Sequence, residues 1–322
     1  MPALVPKHED PIFLNESQVR ALLTHDVLIP AIRRALADFS AGRVIQPVRT
    51  VLSVAEHSGW FATMPAVYGD VMGTKLVTFY PGNVAHGLHT HHAMIQLFRS
   101  ATGEPLAVMD GRLITEMRTA AVSAVAVGLL AHSAARTLAV LGSGVQARSH
   151  FAALSRVRSF DQVRVWSRSP EHAQRFATEI GAVSTATPEQ AVADADVVLT
   201  LTSASEPILF GRWLKPTALV CAVGACTPSK RELDDDAMRG AVVVDSRDAA
   251  SREAGDIVIA GAAIAAEIGE LLNGASLPPS EYPTVFKSVG IAIADIAAAA
   301  LIYEGFTRQN YSSRSRVSCR AR

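Results

Sequence analysis

The chain has 322 residues, enough for two domains with a substantial core in each. Lys+Arg and Asp+Glu stand at 30 each and hydrophobic residues make up 49%, which points away from a nucleic-acid partner and from a charged membrane surface. Cys221, Cys226 and Cys319 show no metal-ligand spacing and no disulfide framework, and no signal-like or bilayer-length apolar run is evident, so a reduced cytoplasmic compartment is the default expectation.

Taken in chain order, residues 49–54, 75–80, 93–98 and 105–110 read as strands. Turn chemistry separates them at Tyr68-Gly-Asp, Tyr80-Pro-Gly-Asn and Ala101-Thr-Gly-Glu, predicting a largely antiparallel sheet. The alanine-rich stretch 115–134 reads as a long packed helix joining two domains. Beyond it, strand-like segments at 138–141, 163–166, 197–202, 219–223 and 242–245 are interleaved with helix-like ones and a loop. Such alternation predicts a parallel sheet covered by helices. The apolar segment 289–303 reads as a helix returning to the first domain.

The run 138–141 breaks into Gly142-x-Gly144-x-x-Ala147 ahead of a helix-compatible segment. Strand, glycine turn and helix start are the context a dinucleotide-binding fingerprint requires. Gly142 permits the tight turn, Gly144 lets backbone approach a pyrophosphate, and Ala147 lets the helix pack on the strand. About 20 residues on, where an NAD-preferring protein carries a ribose-binding carboxylate, the chain reads Trp166-Ser167-Arg168-Ser169. Arg168 suits a 2′-phosphate, with Ser167 and Ser169 as neutral partners, so NADPH is expected ahead of NADH. The alternative is a solvated loop arginine.

Three basic residues invite a chemical role. Lys75 lies in an apolar strand, where a lysine is costly unless it meets an anion or handles a proton; the alternative is an edge lysine guarding against aggregation. Arg49 could present a planar fork to a carboxylate, or could be an exposed strand arginine. Arg118, early in the alanine-rich helix, suits phosphates or a carboxylate, or an interdomain salt bridge. His86, His89, His91 and His92 have no nearby carboxylate set, so no metal site is expected.

The chain resembles the ornithine cyclodeaminase/mu-crystallin family from about Phe13 to about Phe306. The residues that carry this are Gly73-Thr-Lys75, Tyr80-Pro-Gly-Asn83, the stretch from Met109 through Arg118-Thr119-Ala-Ala, Gly142-Ser-Gly-Val-Gln-Ala147, the stretch from Gly224 to Asp234, and Val285-Phe-Lys-Ser-Val-Gly290. The resemblance implies an α/β protein with a Rossmann dinucleotide-binding domain inserted into an α+β substrate and dimerisation domain built from both chain ends. The expected division is 1–125 completed by 290–310, 126–289 for the Rossmann domain, and a mobile tail at 311–322. A homodimer is implied, with no nucleic-acid or membrane partner.

By the same resemblance, Arg49 and Lys75 contact the substrate carboxylate region, and Arg118 and Thr119 lie between substrate and nicotinamide. Val145, Gln146, Ser167, Arg168 and Ser169 hold the dinucleotide with Gly142 and Gly144. Thr202, Val223, Gly224, Ala225, Lys287 and Ser288 close around the nicotinamide end, and His91 joins the cofactor set. Cyclodeaminases of the family carry an aspartate where this chain has Cys226, and a thiol of ordinary pKa about 8.5 cannot replace that carboxylate in holding an ammonium. The expected activity is therefore NAD(P)H-dependent reduction of cyclic ketimines, Δ1-pyrroline-2-carboxylate to L-proline and Δ1-piperideine-2-carboxylate to L-pipecolate, with Lys75 also the first candidate to supply the ring proton. Alternatives are an ornithine cyclodeaminase, an alanine dehydrogenase-like oxidoreductase, and a non-catalytic mu-crystallin-like protein binding NADPH and a ligand.

Overall fold

The computed structural model describes residues 10–318, with side chains described through residue 310. The chain divides into two compact units. The first takes the chain up to Thr24, Val44–Thr115 and the chain from Asp295 on; the second takes His25–Arg43 and Glu116–Ala294.

The first unit holds β1 (Ile12–Leu14), α1 (Glu16–Leu22), β2 (Val44–Ile45), β3 (Thr50–Val54), β4 (Gly59–Tyr68), β5 (Val71–Phe79), β6 (His91–Arg99), β7 (Pro105–Asp110) and most of α10 (Ala292–Ser318). Its sheet has the order β1-β7-β6-β5-β4-β2, with β3 also on β4. All pairs are antiparallel except β1 with β7. Side chains alternate with period two, so Ala62, Met64, Ala66, Lys75, Val77, Ala93, Ile95 and Leu97 all lie buried.

Sequence reading missed β4, which contains Pro65, a residue that cannot donate to a ladder. The register explains why it is tolerated: β3 reaches Thr63 and β2 begins at Val67, so Pro65 falls in the stretch between them. Strand β5 also starts earlier than expected. Its Gly73 lies so close to the Gln96 carbonyl and to Ile296 of α10 that a side chain there would collide with both.

The second unit holds α2 (His25–Ser40), most of α3 (Arg112–Leu130), β8 (Thr137–Leu141), α4 (Val145–Leu154), β9 (Gln162–Trp166), α5 (Pro170–Ile180), β10 (Val183–Ser184), α6 (Pro188–Val192), β11 (Val197–Thr200), β12 (Leu219–Ala222), β13 (Val242–Val244), α7 (Arg247–Glu253), α8 (Gly255–Ala260), β14 (Ile264–Glu267), α9 (Ile268–Leu272) and β15 (Thr284–Lys287). Its sheet is parallel throughout, in the order β10-β9-β8-β11-β12-β15-β13-β14. The direction of strand succession reverses between β8 and β11, the switch point at which doubly wound sheets bind ligands. Helix α3 is long and apolar enough to cross a bilayer by composition, but 67% of that stretch is buried inside the protein, as in a core helix.

Helix α2, placed by sequence with the first domain, belongs to the second unit. Its Leu28, Ile32 and Leu36 are buried. Ser40 Oγ donates to Glu267 (2.6 Å) and Asn273 donates to the Ala37 carbonyl (2.8 Å), tying α2 to the α9 region. At the other end of the chain, α10 begins at Ala292 after a left-handed turn at Gly290 and stays helical to Ser318. Helix thus covers most of the stretch expected to be tail; residues 319–322 of that stretch lie outside the described residues.

Candidate active site

In the second unit, in-register pairing aligns the carboxyl ends of five strands. Leu141 of β8 pairs with Trp166 of β9 and Thr200 of β11, Thr200 with Ala222 of β12, and Ala222 with Lys287 of β15. The residues after these ends are the expected dinucleotide set: Gly142 and Gly144, Ser167 to Ser169, Thr202, Val223 to Ala225, and Ser288. The fold therefore brings them to one edge of one sheet.

The glycine turn is shaped for a close approach. Gly142 has φ +126°, and a Cβ there would sit 2.7 Å from the Leu201 carbonyl that follows β11. Gly144 is the N-cap of α4, with open space where a Cβ would stand. The first N–H groups of α4, from Val145 and Gln146, have no acceptor within the helix and sit at its positive end. Gln146 Oε1 is buried there without a hydrogen-bond partner. This arrangement fits a pyrophosphate. After β9, Arg168 is exposed and Ser169 Oγ caps α5 by accepting from the His172 N–H (3.4 Å).

Behind the loops after β11 and β12 lies a buried polar network that sequence reading did not anticipate. Glu232, fully buried, accepts from Thr200 Oγ1 (2.7 Å), Thr202 N–H (2.7 Å) and Thr202 Oγ1 (2.6 Å). Burial pushes its carboxyl up; Lys287 and the threonine bonds oppose that shift. Asp256 accepts from the Glu232 and Leu233 N–H groups (2.7 and 2.9 Å) and pairs with Lys287 Nζ at 2.8 Å, both side chains being fully buried. Lys287 also donates to the Gly224 carbonyl. Gly224 leaves no room for a side chain against Glu232 and the Thr202 carbonyl, and Ala225 takes a left-handed φ of 51°. The Lys287 amine is thus engaged inside the unit, holding the loop after β12 from within.

Asp245, buried at the end of β13, organises the turn after β15. Its Oδ2 accepts from Ser288 Oγ (2.7 Å), Val289 N–H (3.0 Å) and Gly290 N–H (2.8 Å). Gly290, at φ +79°, lies against the Arg118 guanidinium: a Cβ there would sit 2.8 Å from Nη1 and 3.1 Å from Nη2. Arg118 and Thr119 are both buried, two turns inside α3 and not at its start. The Ser288 hydroxyl, like the Lys287 amine, therefore serves the scaffold.

In the first unit, Lys75 sits on the buried face of β5, only 1% exposed, opposite Met64 of β4 and Ile95 of β6. It is an interior residue and not an edge guard. Its Nζ donates to Asp295 Oδ2 at 2.7 Å, and Asp295, in the first turn of α10, is itself fully buried. Arg49 is half-buried immediately before β3, and His91 opens β6 half-buried opposite Phe79. Cys226 is exposed in the loop after β12; Cys221 is sealed in β12, where burial pushes its thiol up to about 12.

A parallel sheet with a glycine turn fit for a pyrophosphate at its switch point, and a separate, largely antiparallel sheet carrying a buried lysine, define a dinucleotide-dependent oxidoreductase of two units. The chain belongs to the ornithine cyclodeaminase/mu-crystallin family, whose signature matches residues 9–310. Ketimine reductase mu-crystallin of Mus musculus is 47% identical over 306 residues, covering 92% of this chain and 98% of the relative. Among solved structures, Thermococcus litoralis Δ(1)-pyrroline-2-carboxylate reductase in complex with NADH and L-proline superimposes with a TM-score of 0.88 at 32% identity, covering 93% of this chain and 98% of that one. An archaeal alanine dehydrogenase dimer with bound NAD gives a TM-score of 0.88 at 30% identity, covering 93% and 97%.

Proposed function

We propose that this protein reduces cyclic ketimines that carry a 2-carboxylate, Δ1-pyrroline-2-carboxylate to L-proline and Δ1-piperideine-2-carboxylate to L-pipecolate, at the expense of NAD(P)H. The observation that carries the reading is the buried Lys75 cation on the inner face of the antiparallel sheet, in a chain whose relatives include a ketimine reductase and a pyrroline-2-carboxylate reductase. When bound, the reduced nicotinamide supplies the hydride that ends on C2 of the imine. The second unit holds the dinucleotide through Gly142, Gly144 and the α4 N-terminus, with Thr202 and the 223–225 loop at its nicotinamide end. Arg49, Lys75 and Arg118 are the cations assigned to the substrate carboxylate on this reading. Fixing the reacting partners in this way is a large part of the rate gain open to a hydride transfer. Cys226, an exposed thiol at the position where the family's cyclodeaminases carry an aspartate, disfavours cyclodeamination.

NADPH is the preferred donor on this reading, because Arg168 is exposed where a 2′-phosphate would lie and no carboxylate stands there to repel it. The protein works as a homodimer. Support comes from the apolar side chains on the sheet of the first unit, among them Ile45 (72% exposed), Leu52 (58%) and Met94 (50%), and from the dimeric archaeal relative.

The test is NADPH oxidation with each imine, run beside ornithine with NAD. Rapid oxidation with an imine and no ammonia from ornithine is expected. Ammonia and proline from ornithine would overturn the reading, and NADPH binding without turnover of any imine would make the protein a binding module.

A further inference from the structure

The turn between β8 and α4 is held from two directions. Gly142 is fixed by neighbouring strands: its N–H donates to the Trp166 carbonyl (2.8 Å), and a Cβ there would stand 2.7 Å from the Leu201 carbonyl. The next carbonyl, that of Ser143, is held by a side chain. Arg148, in the second turn of α4, donates through Nη1 to the Ser143 carbonyl at 2.8 Å and to the Gly144 carbonyl at 3.4 Å. The other edge of the same guanidinium grips Glu179 of α5, with Nε and Nη2 at 2.8 and 2.7 Å from one carboxylate oxygen. Its Cζ stands 5.0 Å from the centre of the Phe176 ring, which is fully buried. Arg148 and Glu179 keep 36% and 48% of their side chains exposed, so as an ion pair they contribute little to folding.

What the guanidinium fixes is a direction. The Ser143–Gly144 peptide is trans, so its C=O and N–H point opposite ways. With the Ser143 oxygen tied to Arg148, the Gly144 N–H is aimed away from that side chain, and the flipped peptide, which would turn a carbonyl toward an anion, is disfavoured. The space where a Gly144 Cβ would stand is open. We infer that Arg148 is a positioning residue for the cofactor pyrophosphate: braced by Glu179 and Phe176, it keeps the Gly144 N–H in its donating orientation. The inference rests on the dinucleotide reading of this turn and deepens it. A phosphate oxygen that meets a prealigned N–H gains a charge-assisted bond without the entropy cost of ordering the turn. The brace separates position from charge. Glu179 brings a negative charge to the neighbourhood of an anion site, so attraction alone predicts that removing it strengthens binding, whereas positioning predicts that removing it weakens binding.

The test uses the full chain and four variants, Arg148→Met, Arg148→Lys, Glu179→Ala and Gly144→Val, each first checked for a wild-type-like thermal transition. Calorimetry at one ionic strength reads the affinity for NADPH and for 2′-phospho-ADP-ribose, which keeps the pyrophosphate and lacks the nicotinamide. Steady-state kinetics reads KM for NADPH beside KM for Δ1-pyrroline-2-carboxylate. Arg148→Met is expected to weaken both nucleotides about 10-fold and to raise KM for NADPH alike, with the imine KM held within about twofold. Arg148→Lys keeps the charge and loses the fork, so it should still lose about fivefold. Glu179→Ala is expected to weaken both nucleotides about threefold despite the negative charge it removes. Full affinity in Arg148→Lys, or tighter NADPH binding by Glu179→Ala, would overturn the inference in favour of a charge effect. An Arg148→Met protein with wild-type affinities would overturn it outright. Gly144→Val tests the reading beneath. Its Cβ meets no protein atom within 4 Å and its φ of −83° is ordinary, so it should fold and lose both nucleotides about 100-fold. A Gly144→Val protein that kept NADPH would sink the reading of the turn; one that lost NADPH beside normal Arg148 and Glu179 variants would strike the inference alone.

Discussion

Replacing Gly290 with alanine asks whether the turn after β15 sets the position of the Arg118 guanidinium. The new methyl carbon would stand 2.8 Å from Nη1 and 3.1 Å from Nη2, where ordinary contact begins at 3.4 Å. The turn cannot easily retreat, because one oxygen of Asp245 holds Ser288, Val289 and Gly290 through bonds of 2.7, 3.0 and 2.8 Å. The guanidinium must therefore move by about 0.6 Å, the shortfall at Nη1. Alanine at φ +79° adds a backbone cost of about 1 kcal/mol. A fork displaced by a substantial fraction of an ångström loses its alignment with a carboxylate, so kcat/KM for either imine should fall about 10- to 100-fold. The dinucleotide turn at Gly142–Gly144 lies on a different strand, so NADPH affinity, read by nucleotide fluorescence, should hold within about threefold. Steady-state kinetics with Δ1-pyrroline-2-carboxylate, paired with the melting transition, separates the two effects. A Gly290→Ala protein that melts about where this backbone cost predicts but turns over at the wild-type rate would refute the link between the turn and Arg118.

Arg168→Ala should raise KM for NADPH by about 10-fold or more and leave NADH nearly unchanged, measured with one imine and both nucleotides; equal losses for both would remove Arg168 from 2′-phosphate recognition. Lys287→Met leaves Asp256 buried and unpaired, so urea unfolding should show a loss of about 3–5 kcal/mol, while a loss under about 1 kcal/mol would mean the pair is not needed. His150 is buried, donates Nδ1–H to the Gln146 carbonyl (2.8 Å) and meets Ser123 Oγ through Nε2 (3.0 Å), and burial lowers its pKa from 6.5 to about 4. The native state therefore resists protonation that the unfolded chain accepts, so its contribution is complete above pH 6.5 and is lost as the pH falls toward 4, by about 3 kcal/mol at 1.36 kcal/mol per pH unit. Unfolding free energies at pH 7.5 and 4.5, compared with those of His150→Gln, should show a steeper acid loss in the wild type; parallel slopes would refute the assignment.

Much of the fold was legible because its signals are local. The fingerprint at Gly142–Ala147 and the alternation after it depend on neighbours within a few residues, and β7 was read at its observed bounds, Pro105–Asp110. Features that depend on distant partners were not. Strand β4 was hidden by Pro65, which is acceptable only because two different strands flank β4 on that side and neither reaches it. Residues 25–43 fell in the expected first domain, 1–125, but belong to the second unit, because which unit covers a segment is set by distant partners. Strand β15 is four residues long and owes its place between β12 and β13 to the sheet, not to its own pattern.

The site divides along the same line. Lys75 stood out in the sequence because a lysine in an apolar strand needs an explanation. Asp295 stands out less, as the single charge in the apolar run 289–303. The fold pairs the two across 220 positions, both buried. The same holds for Lys287, in the buried Val285-Phe286-Lys287 run, and Asp256, 0% exposed at the start of α8. A charge in an apolar run thus predicts that a partner exists and gives its sign, whereas the partner's identity comes only from the fold. With two buried lysines among the described residues and several candidate carboxylates, sequence could not choose between the pairings.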